Sequence, residues 1–180
     1  MEFIKKDIKL FIISGHARSG KGEVSRLIKE YYKDKKVVVI SFGYYLKYYA
    51  SMISDWDLSE DTKPRALLQN LGIELIKNKI DNKLLINRIL QDILVFSYFC
   101  DIIIVNDARL IDEVETLKAM YPNSTSIRVN RNNYNNGLTV NENNHITETA
   151  LDDYKNFDYT IFNDDNLNIS LFKILDEVNV

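Results

Sequence analysis

Residues 8–28 read IKLFIISGHARSGKGEVSRLI, and the way this stretch divides decides the fold. Ile8–Ser14 is a short apolar run with β-branched and aromatic side chains, which predicts a buried strand. Val24, Leu27, Ile28 and Tyr31 recur at spacings of three and four, which predicts an amphipathic helix over Lys21–Tyr32. The join between them, Gly15-His-Ala-Arg-Ser-Gly20-Lys21, fits G-x-x-x-x-G-K. In such a loop successive backbone N–H groups converge on phosphate oxygens, and the helix behind it adds the positive end of its dipole. Glycines suit it because a Cβ would block the close approach of an anion. Gly15, Arg18, Ser19, Gly20, Lys21 and Gly22 are therefore the candidate ligands for the phosphates of ATP, with Lys21 also catalytic. An ordinary strand-to-helix turn is the plainer reading. Gly22 stands where the motif carries a hydroxyl for Mg²⁺. Either Ser25 or Ser19 replaces it, or the ion is held by nucleotide oxygens, water and a carboxylate such as Asp107.

Outward from this unit, Lys36–Ser41 (KVVVIS) predicts a second buried strand, so strand, helix and strand form a βαβ unit of a parallel sheet. Helices are expected over Tyr44–Ser54, Arg65–Lys79 and about 82–98, with a polar loop at Trp56–Lys63. Asp101–Val105 is the third strand, Leu110–Tyr121 a helix and Ser124–Val129 the fourth strand. Residues 130–144 hold eight asparagines and one glycine with little to bury, which predicts a mobile lid loop. A short helix at Thr147–Asp153, a fifth strand at Phe157–Phe162 and a helix at Leu167–Val178 complete the chain. The expected fold is α/β: a doubly wound five-stranded parallel sheet flanked by helices, with its ligand site at the carboxyl ends of the strands. One domain over 1–180 is expected, with an acceptor-binding helical region at about 42–98 and a lid at about 130–146.

Composition narrows the function. Hydrophobic residues make up 46% and charged residues 27% of 180, the balance of a soluble globular protein. A formal charge of -3 and the lack of a basic stripe argue against nucleic acid or an anionic membrane as partner. The single cysteine, Cys100, lies in an apolar run and reads as a buried structural thiol. The charged N-terminal segment and strand-length apolar runs point to a cytoplasmic protein.

Several other charged residues are candidates. Asp107 ends an apolar strand, where it either faces the cleft or caps the next helix, and Arg109 either binds phosphate or lies on that helix's surface. Lys47, Arg65 and Gln69 either line an acceptor pocket or are solvated. Arg128 and Arg131 flank the entry to the Asn-rich loop, so Arg131 can swing with a lid towards the phosphates. His145 and Glu148 share one helix face, a spacing too weak for a metal site. Tyr44, Tyr45, Tyr48 and Tyr49 read as core or rim residues rather than a base-stacking platform.

In order along the chain, GHARSGKGEVSRLI (15–28), SFGYYLK (41–47), RALLQNLG (65–72), IIIVNDARLIDEVETL (102–117), IRVNR (127–131) and HITETALDD (145–153) resemble the deoxynucleoside monophosphate kinases, and more distantly the animal-type phosphomevalonate kinases. The resemblance implies a P-loop nucleoside monophosphate kinase fold and ATP-dependent transfer to a (deoxy)nucleoside monophosphate with Mg²⁺. It implies that Lys47, Arg65, Gln69 and Arg109 lie near the acceptor, that Asp107 lies by the transferred phosphate, and that Arg131 rides on the lid. Arg128, His145 and Glu148 would support the lid. Where the family carries Asp then Thr after the P-loop lysine, this chain has Gly22 and Glu23. Small nucleotides are the expected partners, with a homodimer left open. Two readings compete: a kinase for another small phosphorylated acceptor, and a catalytically weak nucleotide-binding module.

Overall fold

The computed structural model describes residues 2–178; Met1, Asn179 and Val180, and with them the ends of the expected 1–180 domain, lie outside the described residues. Strands β1 (Lys9–Ser14), β2 (Val37–Ile40), β3 (Ile102–Ala108), β4 (Thr125–Asn130) and β5 (Tyr159–Phe162) form one parallel sheet in the order β2-β3-β1-β4-β5. β1 sits at the centre, pairing Phe11 with Ile104 of β3 and Thr125 of β4. Its side chains alternate between two cores. Phe11 and Ile13 pack with Val24, Leu27 and Ile28 of α1 (Lys21–Tyr31) and Leu171 of α8 (Leu167–Glu177). Leu10 and Ile12 pack with Phe42 of α2 (Phe42–Ile53), Ile89 and Ile93 of α4 (Leu84–Phe96), and Val114 and Leu117 of α5 (Ile111–Met120). A strand buried on both faces needs no polar alternation, which is why it reads as one apolar run.

The outer strands differ from expectation. β2 is only half-buried, and β5 buries Ile161 alone, because each is an edge strand with one neighbour. The helix expected over Arg65–Lys79 is α-helical as α3 (Arg65–Gln69) and then π-helical over Asn70–Ile80. Wider π turns occur mainly at functional sites, and here Gly72, Ile73, Ile76 and Lys77 of that segment all line one cavity. Trp56 and Leu71, with Ala50, make a third, smaller core under α2 and α3. The 130–146 segment is more structured than an Asn-rich loop suggests. α6 (Val140–Asn143) is started by a reciprocal Thr139–Glu142 cap, and α7 (Ile146–Thr149) follows. Among the described residues no helix is long and apolar enough to cross a membrane.

Candidate active site

A cavity of about 650 Å³ opens at the carboxyl ends of β1 and β3, a size usual for small-molecule sites. Its lining includes Gly20, Lys21 and Gly22 of the loop and a separate group, Lys47, Lys63 and Arg65, gathered around Glu60. Leu46, Leu68, Ile73 and Ile76 supply its apolar lining.

The loop end is held from several sides. Gly20 adopts the left-handed conformation at φ 107°, and its carbonyl starts α1 by accepting from Val24 N at 3.0 Å. Asn163, just past β5, donates to Ser19 O at 3.0 Å. A Cβ on Gly20 would lie 2.2 Å from that Asn163 Nδ2, so the position requires glycine for both space and dihedral. Tyr134 donates its hydroxyl to Ala17 O at 2.7 Å. The Arg131 guanidinium lies over the Tyr134 ring and donates to Arg18 O at the long distance of 3.5 Å, so the lid arginine is next to the loop. The Ser19 hydroxyl is buried and has no partner among the described residues.

Lys21 folds back on its own loop, donating from Nζ to Gly15 O at 2.8 Å and to His16 O at 2.6 Å. Burial lowers its pKa to about 7, with Arg109 and Arg128 pushing the same way and Glu148 and Asp107 opposing. An ammonium this uncomfortable gains from any anion that enters the cavity.

Asp107 does not cap the helix that follows it. Its Oδ1 accepts from Phe42 N and its Oδ2 from Gly43 N, each at 2.8 Å, so it caps α2 from across the sheet. A Cβ on Gly43 would sit 2.9 Å from Oδ2, and glycine there lets the carboxylate approach. Burial raises the Asp107 pKa against those two hydrogen bonds. The start of α5 is served instead by Glu113, whose Oε2 accepts from Arg109 N at 2.7 Å and Leu110 N at 3.0 Å. Burial pushes Glu113 up to about 8, with Asp107 adding to the rise. Arg109 is therefore not on an outer surface: it lines the cavity and pairs with Glu148.

In the second group three cations surround one carboxylate. Glu60 accepts from Lys63 at 2.8 Å and lies 3.9 Å from Lys47 and 3.8 Å from Arg65. Gln69 lines the cavity and donates to Glu142 O at 3.2 Å, tying α3 to α6. Arg128 points elsewhere, buried against Ser14 Oγ and Asp152. His145 caps α7, accepting from Thr147 N through Nδ1 at 3.3 Å. None of the four tyrosines of α2 lines the cavity; Tyr45 donates to Asp92 and stacks under Arg88.

Gly22 has no hydroxyl; Ser25 Oγ donates to Lys21 O at 3.0 Å, and each Asp107 oxygen accepts one amide at 2.8 Å, which leaves lone pairs with which Asp107 could join nucleotide oxygens and water around Mg²⁺. Among the described residues no group of three His, Cys, Asp or Glu side chains could hold a metal ion. The sequence did not single out Lys63, Glu60, Glu113, Tyr134 or Asn163. Lys63 lies two positions before Arg65 and Glu113 three after Leu110, the N-cap-to-N3 spacing of a helix start, so a signal existed for those two. Tyr134 and Asn163 carry none.

The family model described as deoxynucleotide monophosphate kinase matches residues 43–174, well over half of the chain. The chain belongs to that family. The match begins after the Gly15–Gly22 loop, so membership in the deoxynucleotide monophosphate kinase family rests on residues from α2 to α8, while the loop motif is a separate signal. No curated protein matches the sequence. Among solved structures, TT1252 from Thermus thermophilus is similar at a TM-score of 0.57 and 13% identity, covering 97% of this chain and 100% of that one. The Mycobacterium tuberculosis APS kinase CysC, solved in complex with AMPPNP and APS, is similar at 0.52 and 13%, covering 95% and 97%. At such identity the likeness is one of fold: this kinase-family chain has the α/β architecture of the P-loop kinases.

Proposed function

We propose that this chain transfers the terminal phosphoryl group of ATP to a deoxynucleoside monophosphate, giving the diphosphate and ADP. One observation carries the reading: a single cavity is lined by the 15–22 loop with Lys21 and Arg109 and by a second group of cations, Lys47, Lys63 and Arg65. Two clusters of cations in one cavity suit two phosphorylated ligands approaching end to end. An acceptor bearing only a hydroxyl would leave these three cations with the single charge of Glu60.

In this reading ATP docks on the amides of residues 15–22, and Lys21 exchanges the carbonyls of Gly15 and His16 for phosphate oxygens. The acceptor phosphate meets Lys47, Lys63 and Arg65, and its base lies along Leu46, Leu68, Ile73 and Ile76. Phosphoryl transfer asks for in-line positioning and neutralisation of charge on the moving group rather than covalent help. Lys21 and Arg109 supply that charge from the cavity, and Arg131 from the 130–146 lid, which also excludes water. Asp107 positions α2 and its Lys47 rather than touching substrate. The whole chain acts as one domain, working on small nucleotides in the cytoplasm. The family membership and the AMPPNP bound to the APS kinase of the same fold support the donor.

The test is ADP release with ATP and a panel of deoxynucleoside and ribonucleoside monophosphates, the parent nucleosides and the non-nucleotide phosphomonoester phosphomevalonate, with and without Mg²⁺. Turnover on one or more deoxynucleoside monophosphates and none on nucleosides is expected. Turnover confined to a non-nucleotide phosphomonoester, or ATP binding with no turnover at all, would replace the proposal by one of its two rivals.

A further inference from the structure

Glu148 is buried at 7% exposure, on α7 immediately after the lid segment, and its two oxygens are committed to different parts of the molecule. Oε2 accepts from the backbone N of Ala17, inside the phosphate loop, at 2.9 Å. Oε1 accepts from Arg109, which lines the cavity and also donates to Thr147 O at 3.3 Å. The Ala17 peptide is gripped on its other side by Tyr134, so both of its polar groups are held from residues 134–148. His16 Nδ1 lies 3.8 Å from the same carboxylate.

We propose that Glu148 is the positioning residue that couples the donor and acceptor sites, so that filling one orders the other. The inference rests on the two-substrate reading above. A carboxylate that served only to fix a buried turn would not need its second oxygen on a cation facing substrate. Here any acceptor phosphate that draws on Arg109 changes the pairing of the carboxylate that holds Ala17. Conversely, an anion that settles the loop fixes Glu148 and hence the direction in which Arg109 points. Both movements pass to α7 and the base of the lid. Coupling of this kind is reciprocal and commonly amounts to about 5–150-fold in affinity.

The experiment measures binding of AMPPNP to the full chain by titration calorimetry, with and without an equimolar mixture of dAMP, dCMP, dGMP and dTMP. The wild type should bind AMPPNP at least about 5-fold more tightly with the mixture present. In Glu148→Gln the amide oxygen still accepts from Ala17 N, while its NH₂ faces Arg109 and cannot pair with it. That variant should lose the enhancement, read as the ratio of its AMPPNP affinities with and without the mixture, and show a raised acceptor KM. If Glu148→Gln does not fold, Glu148→Asp takes its place; it keeps the charge but is one methylene too short to span both partners. Enhancement that survives in the folded variant, or is absent from the wild type, overturns the inference. So does a parallel loss of both affinities that tracks a fall in Tm. A wild type with no turnover on the nucleotide panel sinks the proposed substrate instead.

Discussion

The phosphate loop at residues 15–22 and the wall formed by Lys47, Lys63 and Arg65 both present cations to one cavity, yet they are built from different materials. The loop works through its main chain. Ser19 is held by Asn163 and Ala17 by Tyr134 and Glu148, three groups distant in sequence, and its one ammonium is sunk deep enough to lower its pKa to about 7. The wall works through long side chains around Glu60, whose own side chain is 65% exposed. Preorganised, desolvated groups are worth far more to a charged ligand than solvated ones, which salt screens. The donor end should therefore be brittle to substitution and the acceptor end tolerant.

Four measurements sharpen or break that contrast. The largest effect belongs to Lys21→Met, which should lower kcat by about 10²–10³-fold, as loss of a buried charge-stabilising donor does, with the fold intact by circular dichroism. Near-normal turnover would put the working charge elsewhere. Next comes a pair of alanines two positions apart. Gly20→Ala forces a Cβ to 2.2 Å from Asn163 at a positive φ and should cost about 1–3 kcal/mol of stability with a marked loss of ATP affinity. Gly22→Ala meets nothing within 4 Å in the first turn of α1 and should gain about 0.5–1 kcal/mol. Equal effects would mean that the loop is not rigidly held.

The third concerns pH. Lys21 is depressed to about 7 in the free protein, so it is charged below that value and neutral above it. A bound polyphosphate restores the ammonium, so binding takes up a proton above pH 7. AMPPNP affinity should then fall by up to about tenfold per pH unit between 7 and 9, and this slope should vanish in Lys21→Met. For stability the sign is opposite. Between about 7 and the ordinary lysine pKa of 10.5 the unfolded chain holds the proton that the folded one lacks, so this group makes folding more favourable as pH rises through that window. The smallest effect is expected at the wall. Glu60→Gln removes the carboxylate competing for Lys47, Lys63 and Arg65, and should lower the acceptor KM by roughly 2–5-fold at low salt, with the gain disappearing at high salt. A rise in KM would show that Glu60 holds these cations in place rather than competing for them.

Much of this architecture is legible in one dimension. β1, β3 and α1 declare themselves because both faces of a central strand are apolar and a helix repeats every three or four residues, and the loop between β1 and α1 is a local motif. Lys47, Arg65, Gln69 and Arg109 were nominated from sequence, and all four line the cavity with Lys21. Asp107 also lines it, but with its oxygens on Phe42 N and Gly43 N, 65 and 64 residues away, a cap with no local signature. The same blindness explains α2, which starts at Phe42 rather than Tyr44, and the π-helical turns of Asn70–Ile80, whose sequence differs in no visible way from an α-helix.

What the sequence determined by itself was the periodic and the contiguous: which runs are strands, which are helices, and where a glycine-framed loop joins β1 to α1. Those follow from apolar spacing and from glycines, properties of neighbours along the chain. Tertiary structure alone decided which charges share a low-dielectric space. Folding brings Glu148 to Ala17 and Asn163 to Ser19, and burial, which no local pattern records, lowers the Lys21 pKa and raises those of Asp107 and Glu113.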